Sequence, residues 1–294
     1  MTASKVVENS FKIKVPKQNP LVCTNSFGEV SVGHMHNDVK ISASYSRVDV
    51  DEVDGRTEVA NTMGEVHLSR ITGPIKVTNS YSPIEMTQCR GNMEIDNDFS
   101  SIVLTKTEGD LVIRNSGRIA ITRHSGTIQI ENKNGQVEVL KLDGDVTIRS
   151  SFQSLSIEDI FGSAKVDNTN GNITAKNITG EFSANNTFGR IYGDLLYGPI
   201  HITCQNGSVD LTLAEKVSGP STIDVSLGTV KVGLFPHSDL LLTATTVGGD
   251  IQSHFPVTID ESGLTKTVTL SLGAGTNSFT ILGNNSTIII AEAK

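Results

Sequence analysis

Apolar side chains along this chain recur in pairs two residues apart, separated by glycine and asparagine at fixed spacing. From Asn61 the pattern runs through Val66/Leu68, Gly73 and Ile75/Val77, and Asn79 then opens the next cycle. Asn-like positions fall at Asn25, Ala43, Asn61, Asn79, Asn97, Asn115, Asn132, Ser150, Asn168, Asn186 and Cys204, steps of about 18 residues. A second glycine keeps the same phase, from Gly55 and Gly73 through Gly91, Gly109 and Gly126 to Gly198. Alternation with period two over short runs bounded by Gly and Asn signals β-strands, and helical spacing is nowhere present. Each repeat therefore holds two short strands, joined by turns that use Gly and Asn for positive φ.

Self-similarity at this period predicts a solenoid, in which each coil buries its apolar face only by stacking on its neighbours. The fold class is all-β: a single-domain parallel β-solenoid, or β-helix, with coils of about 18 residues, two short strands per coil and capped ends. About fourteen coils rising roughly 4.8 Å each make a rod near 65 Å long. Three regions follow: residues 1–24 as an N-terminal strand and cap, 25–213 as regular coils, and 214–294 as irregular coils with a C-terminal cap. In the first, Phe11, Ile13 and Val15 alternate before Pro16 and Leu21 and Cys23 after Pro20, which predicts an entry strand that covers the first coil. In the last, His254–Gly263 reads as an irregular insertion, and Val268/Leu270, Phe279/Ile281 and Ile288/Ile290 supply the final strands.

Columns between the inward positions support this register. The residue before each Asn reads Asp96, Arg114, Glu131, Arg149, Asp167, and another column reads Lys40, Glu58, Lys76, Glu94. A third opens Glu29, Arg47, Glu65, and a fourth reads Glu158, Lys176, Asp194. Stacked parallel strands place such side chains about 5 Å apart, so alternating sign penalises a slip by one coil. The Asn column is expected to occupy left-handed turns and to link its amides along the axis. Two residues later, Phe27, Tyr45, Met63, Tyr81, Phe99, Phe152 and Phe188 form a partly aromatic column, read as structural stacking with an exposed sugar-binding stripe as its rival.

The repeat Asn-x-x-Gly-x-[Ile/Val]-x-[Val/Leu] followed by Gly-x-[Ile/Val]-x-[Val/Ile] resembles a bacterial adhesin-like β-solenoid family, a domain of otherwise unknown function. The opening Phe-Lys-Ile-Lys-Val-Pro and then Leu-Val-Cys-Thr-Asn-Ser-Phe-Gly-Glu-Val-Ser-Val is similar to that family's start, and the similarity runs from about Phe11 onward. The resemblance implies a non-catalytic domain, often exported or membrane-tethered and sometimes linked with envelope stress. It implies no catalytic residues and no cofactor.

Net charge is −8, which argues against nucleic-acid binding and attraction to anionic lipid. No apolar run is long enough to span a bilayer, so direct membrane insertion is not expected. The first residues lack the apolar core of a signal peptide, which departs from the exported members of that family. The expected compartment is the cell envelope or exterior for a processed segment, with the cytoplasm as the alternative. Cys23, Cys89 and Cys204 lie far apart without metal-type spacing and read as structural thiols.

Candidate chemistry is sparse. Asp49 and Asp51 are expected to point outward as a weak cation site, with only Gly33 and Ser69 beside Asp51 in its column. His34 and His36, with His67 elsewhere, make a weak zinc set, and His124 is expected in the core, hydrogen-bonded to Thr107. One column breaks the rule of alternating charge: Arg70, Gln88, Lys106, Arg123, Lys141, with Arg90 nearby. A basic line on an acidic rod suits an anionic glycan or the acidic face of a partner protein. The function expected is a non-enzymatic, monomeric interaction module. The alternatives are a self-assembling bactofilin-like filament and, behind it, a polysaccharide-active β-helix enzyme.

Overall fold

The computed structural model describes residues 12–293 and shows a parallel β-solenoid of about twelve turns with coils about 18 residues apart. One coil serves as the template. Ile75–Ser80 forms the first face, a corner follows at Tyr81, Ile84–Thr87 forms the second face, and a second corner at Gln88 leads to the turn at Gly91. Each strand pairs in parallel with its counterpart one coil on, as in Ile75↔Met93 and Ile84↔Ile102. Ile75, Val77, Ile84 and Met86 point inward and are buried, while Lys76 and Glu85 between them are not. The core is thus a column of aliphatic pairs running the length of the rod.

The charge columns lie in the predicted register. Arg114 sits 3.3 Å from Asp96 and 3.9 Å from Glu131, and Arg149 sits 3.9 Å from Glu131 and 4.0 Å from Asp167. Lys40 and Lys76 pair with Glu58 and Glu94 at 3.1 and 3.0 Å. Lys76 holds the Glu94 carboxyl below its usual range, and Arg114 adds to the effect. These pairs are exposed, so each contributes at most about 1 kcal/mol, and their main effect is on register.

Positive φ falls elsewhere than expected. The Asn residues of the repeat are buried, and none of Asn61, Asn79, Asn97, Asn115 or Asn132 adopts the left-handed conformation. That conformation belongs to the aromatic corner, at Tyr45, Met63, Tyr81 and Phe99, and to the corner of Arg70, Gln88, Lys106, Arg123 and Lys141. The Asn amides work as clamps instead. Asn79 Nδ2 donates to Ser82 O in its own corner (2.8 Å) and to Gly64 O in the preceding coil (3.1 Å), and Asn61 bonds Gly64 O and Ser46 O likewise. Corner carbonyls that point inward need donors, and a buried amide supplies two. The expected amide-to-amide bonds along the axis are not what the nitrogens make.

The ends differ from each other. Of the expected entry strand, the half after Pro20 is formed as Leu21–Asn25, parallel to Val39–Ala43, whereas residues 12–20 contain no strand and Phe11 lies outside the described residues. Ile13 is 78% exposed. Pro16 and Pro20 flank a turn, and proline removes ladder donors and fixes φ, which overrides the alternation. Instead, Lys17 O accepts the N–H of His36 (2.8 Å) and Gln18 O accepts the Asn37 amide (2.7 Å), which ties this loop to one corner of the first coil.

At the far end the layers leave chain order. Sequential stacking continues through Ser221–Ser226 and Thr229–Leu234, but the next layer on them is the last one in the chain, Asn277–Asn284 and Thr287–Glu292. Leu240–Val247 and Asp250–Ser253, earlier in sequence, stack outside it. Thr265–Leu272 then adds antiparallel to Leu240–Val247, and Ile259–Ser262 adds to that. Part of the expected irregular insertion is therefore one arm of a closing hairpin, whose Lys266 bonds Asp250 at 2.9 Å and faces Glu261 at 3.4 Å.

Candidate functional site

The basic column exists as a physical corner. Arg70, Lys106, Arg123 and Lys141 are exposed and sit at φ between 52° and 61°, with Gln88 at 55°. The same column continues as His34 and Glu52 on one side and Asp159, Asn177 and Leu195 on the other, all left-handed. Glycine or Asn would hold that backbone at less cost, since other L-residues lose roughly 1–2 kcal/mol there. The structure separates the candidates into two groups. Arg70 is engaged by Asp51, and Arg90 lies in the column two residues further on, paired with Glu108 at 3.3 Å. Lys106, Arg123 and Lys141 occupy three successive coils and have no carboxylate within ion-pair distance among the described residues. Like charges about 5 Å apart in an otherwise alternating protein are the feature of this surface that structure alone leaves unbalanced.

The acidic candidates are already occupied. Asp49 takes the Arg47 guanidinium at 2.7 Å, and Asp51 bonds both Ser69 and Arg70. Both carboxylates therefore already face a guanidinium, with which a cation at Asp49 and Asp51 would have to compete. The histidines separate too. His34 pairs with Glu52 at 2.5 Å, His36 with Asp54 at 3.1 Å, and His67 with Glu65 and Glu85 at 3.2 and 3.3 Å. Among the described residues no three His, Cys, Asp or Glu side chains gather as a metal site.

His124 lies in the core as expected, with Nδ1 2.9 Å from Thr107 Oγ1, between Thr107 and Leu142 of the adjacent coils. Its Nε2 is buried without a partner. Burial lowers its pKa below the ordinary imidazole value, so folding favours the neutral ring. The folded-state pKa is the depressed one; the contribution is therefore complete above the unfolded value, near about 6.5, and is lost as pH falls through the folded value. His124→Leu is expected to erase this component. Melting curves from pH 7.5 to 5 should show the variant gaining on the wild type as pH drops, and a pH-independent difference would contradict this account.

Two of the three thiols belong to the core. Cys89 and Cys204 are buried and free, burial pushes the Cys204 thiol up to about 11, and it raises the Cys89 thiol as well. Cys204 replaces an Asn and points its Sγ at Gly189 O, 3.8 Å away, the same preceding-coil carbonyl that an Asn amide takes elsewhere.

A second surface feature comes from columns that are unremarkable one by one. Beside the Asn column runs a groove of about 830 Å³ from Thr78 to Gln205. A further stretch of about 350 Å³ extends it back to Thr24 and shares Thr78 and Ser80. Its floor is the backbone of the Asn column, whose side chains turn inward, one wall is the alternating ladder of Asp96 to Asp167, and the other holds Ser80, Asp98, Ser116, Lys133, Ser151 and Thr169. The lining is backbone, hydroxyl and charge, and of the charged members Asp98 and Lys133 are without an ion-pair partner among the described residues. Just outside lie the aromatic corners, where Phe27 stacks on Tyr45 and Tyr81 on Phe99 with ring centroids 5.4 and 5.3 Å apart. Those rings cover each other's faces, which supports the structural reading of that column.

Comparison with known proteins gives no relative: no family model matches the chain, and no curated protein or solved structure matches it at a significant level.

Proposed function

We propose that this protein is a non-enzymatic interaction module, a rigid β-solenoid that presents the corner of Lys106, Arg123 and Lys141 to an anionic glycan such as a uronic or teichoic chain. The observation that carries the reading is the unbalanced charge. Three cations stack at one-coil spacing on a left-handed corner, whereas the columns through Arg114, Arg149, Lys40 and Lys76 pair. A polymer with one negative charge per unit, laid along the rod, would meet one cation per coil without bending. The engaged state of Asp49 and Asp51 and the burial of His124 speak for binding rather than turnover. The antiparallel hairpin with its charged pairs closes one end against parallel stacking of another copy, which favours a monomer over a bactofilin-like filament. Placement at a bacterial cell envelope rests on the resemblance of the repeat to the adhesin-like family.

The test is binding of polygalacturonate to the wild type and to Lys106→Glu combined with Lys141→Glu. Both positions are exposed, so the variant should melt with the wild type. Its affinity should fall more than tenfold, and wild-type binding should weaken as salt shortens the screening length. A wild type that ignores the polymer, or a variant that binds it equally well, overturns the proposal. Retention of an acidic protein in place of the polymer would do the same and assign the corner to a protein partner.

A further inference from the structure

We infer that the corner of Phe27, Tyr45, Met63, Tyr81 and Phe99 is a self-association surface, on which two copies of this chain pair side by side with their rods parallel. Five large apolar side chains stand exposed there in five successive coils, from Phe27 at 75% to Phe99 at 65%. The corner itself does not call for them, since the same column further along carries Asn170 opposite Phe152 and Asn206 opposite Phe188. The surroundings change with them. Residues 24–28, 42–46, 60–64 and 78–82 hold no charged side chain. The ladder column reads Thr24, Ser42, Ala60 and Thr78 here, and turns to Asp96, Arg114, Glu131, Arg149 and Asp167 from the last coil of the ridge onward. Exposed aromatic and methionine side chains in a patch depleted of charge are the composition of an interface core.

The shape of the face selects the occupant. Phe27 on Tyr45 and Tyr81 on Phe99 stack along the rod with interplanar angles of 17° and 13°, so ring edges rather than faces turn outward and no platform is left for a sugar. Beside this ridge runs the groove of about 350 Å³, with Ser26, Ser44 and Thr62 on its near side and Thr24, Ser42 and Ala60 on its far side. Ridge and uncharged groove lie next to each other over the same coils, which makes the face complementary to itself. Geometry then fixes the symmetry. A two-fold axis parallel to the rod, over the column of Ser26, Ser44 and Thr62, lays each ridge in the other copy's groove, coil against like coil. A two-fold axis across the rod would set ridge on ridge.

The contact is small. At five residues across and five coils along, the patch measures roughly 16 Å by 20 Å, or roughly 300–400 Å² on each copy. That places the pair in the weak class, below about 1,200 Å² in total, so the rod is a monomer when dilute and pairs as concentration rises. The hairpin at the C-terminal end bears on end-to-end growth alone and leaves this face free. Each copy carries a net charge of −8, so the rods repel, and salt that screens this repulsion should strengthen the pair. Binding of a polyanion to Lys106, Arg123 and Lys141 has the opposite salt dependence, which keeps the two surfaces distinguishable.

The measurement is sedimentation equilibrium of the full chain from micromolar to millimolar concentration, at low and at half-molar sodium chloride. The wild type should pass from monomer to dimer over that range, and earlier at high salt. Thr62→Lys lowers the net negative charge but sets two ammonium groups against each other at the axis. Thr62 is exposed, so this variant should melt with the wild type while its dimer dissociation constant rises more than tenfold. Ser26→Cys in a Cys23→Ala background should link to its own copy as a disulfide on air oxidation, since residues over the axis meet themselves. The inference is overturned if the mass stays monomeric at millimolar concentration, if Thr62→Lys pairs as the wild type does, or if Ser26→Cys does not link. A monomer that instead sediments with phosphatidylcholine vesicles overturns it as well and assigns the ridge to a membrane surface.

Discussion

Gly91→Ala is expected to lower the melting temperature by about ten degrees, through two separable effects. Gly91 sits at φ 130°, where an alanine is strained by about 1–3 kcal/mol. Its Cβ would also lie 2.2 Å from Gly73 O, so the coils must part locally, at an overpacking cost of about 1–3 kcal/mol more. At roughly 2–4 °C per kcal/mol for a chain of this size, the sum gives the stated shift. Two companion variants isolate the parts. Gly28→Ala has φ 101° and open space around the new methyl, so it reports the backbone conformation alone. Gly64→Ala lies outside the left-handed range, but its Cβ falls 1.9 Å from Ser46 O, so it reports coil contact alone. Gly33→Ala, with only Asp51 O at 3.4 Å, is the control and should change little. The order Gly91 worst, Gly64 and Gly28 intermediate, Gly33 near wild type is the expected outcome of thermal melts. A Gly91 variant no worse than Gly33 would mean that coil spacing is not set by these glycines.

The repeat was legible because burial in a solenoid is periodic. A pair such as Ile75/Val77 can be inside in only one register, and the alternating charges at Asp96, Arg114 and Glu131 admit only the same one. What residue type does not signal is which corner turns left-handed. Asn at position 79 looked like the turn residue, yet its amide is worth more inside, bonded to Ser82 O and Gly64 O, than its backbone tolerance is worth outside. The left-handed positions then fell to Tyr81 and Lys106, whose strain of about 1–2 kcal/mol each is offset by the stacking of neighbouring coils. The cationic corner was visible as a line of like charge, but the withdrawal of Arg70 and Arg90 from it depended on Asp51 and Glu108, which only side-chain geometry could pair with them. The groove was invisible for a different reason. Ser116, Asn115 and Arg114 each read as ordinary surface or turn residues, and concavity is a property of three adjacent columns together.

The out-of-order layer at the C-terminal end leads to the second large effect. Chain termini normally fray, and their amides exchange fastest. Here the last strands cannot peel away, because Phe279, Ile281, Ile288 and Ile290 are buried between Ser221–Leu234 on one side and Leu240–Ser253 on the other. Their amides are therefore expected to exchange as slowly as those of the central coils, orders of magnitude slower than those of Leu21–Asn25, which pairs on one side only among the described residues. Removing residues 277–294 takes out four fully buried side chains, each worth about 1.5–3 kcal/mol, a sum comparable with the whole stability of an ordinary domain. Coils far from the cut contact only their neighbours and should survive. The truncated chain is thus expected to lose hydrogen-exchange protection from about residue 221 onward while Met93–Leu213 keeps it. If the last strands instead exchange like a frayed end in the full chain, or if truncation leaves Leu240–Val247 protected, the layer is not held between its neighbours and the outer strands stack without it.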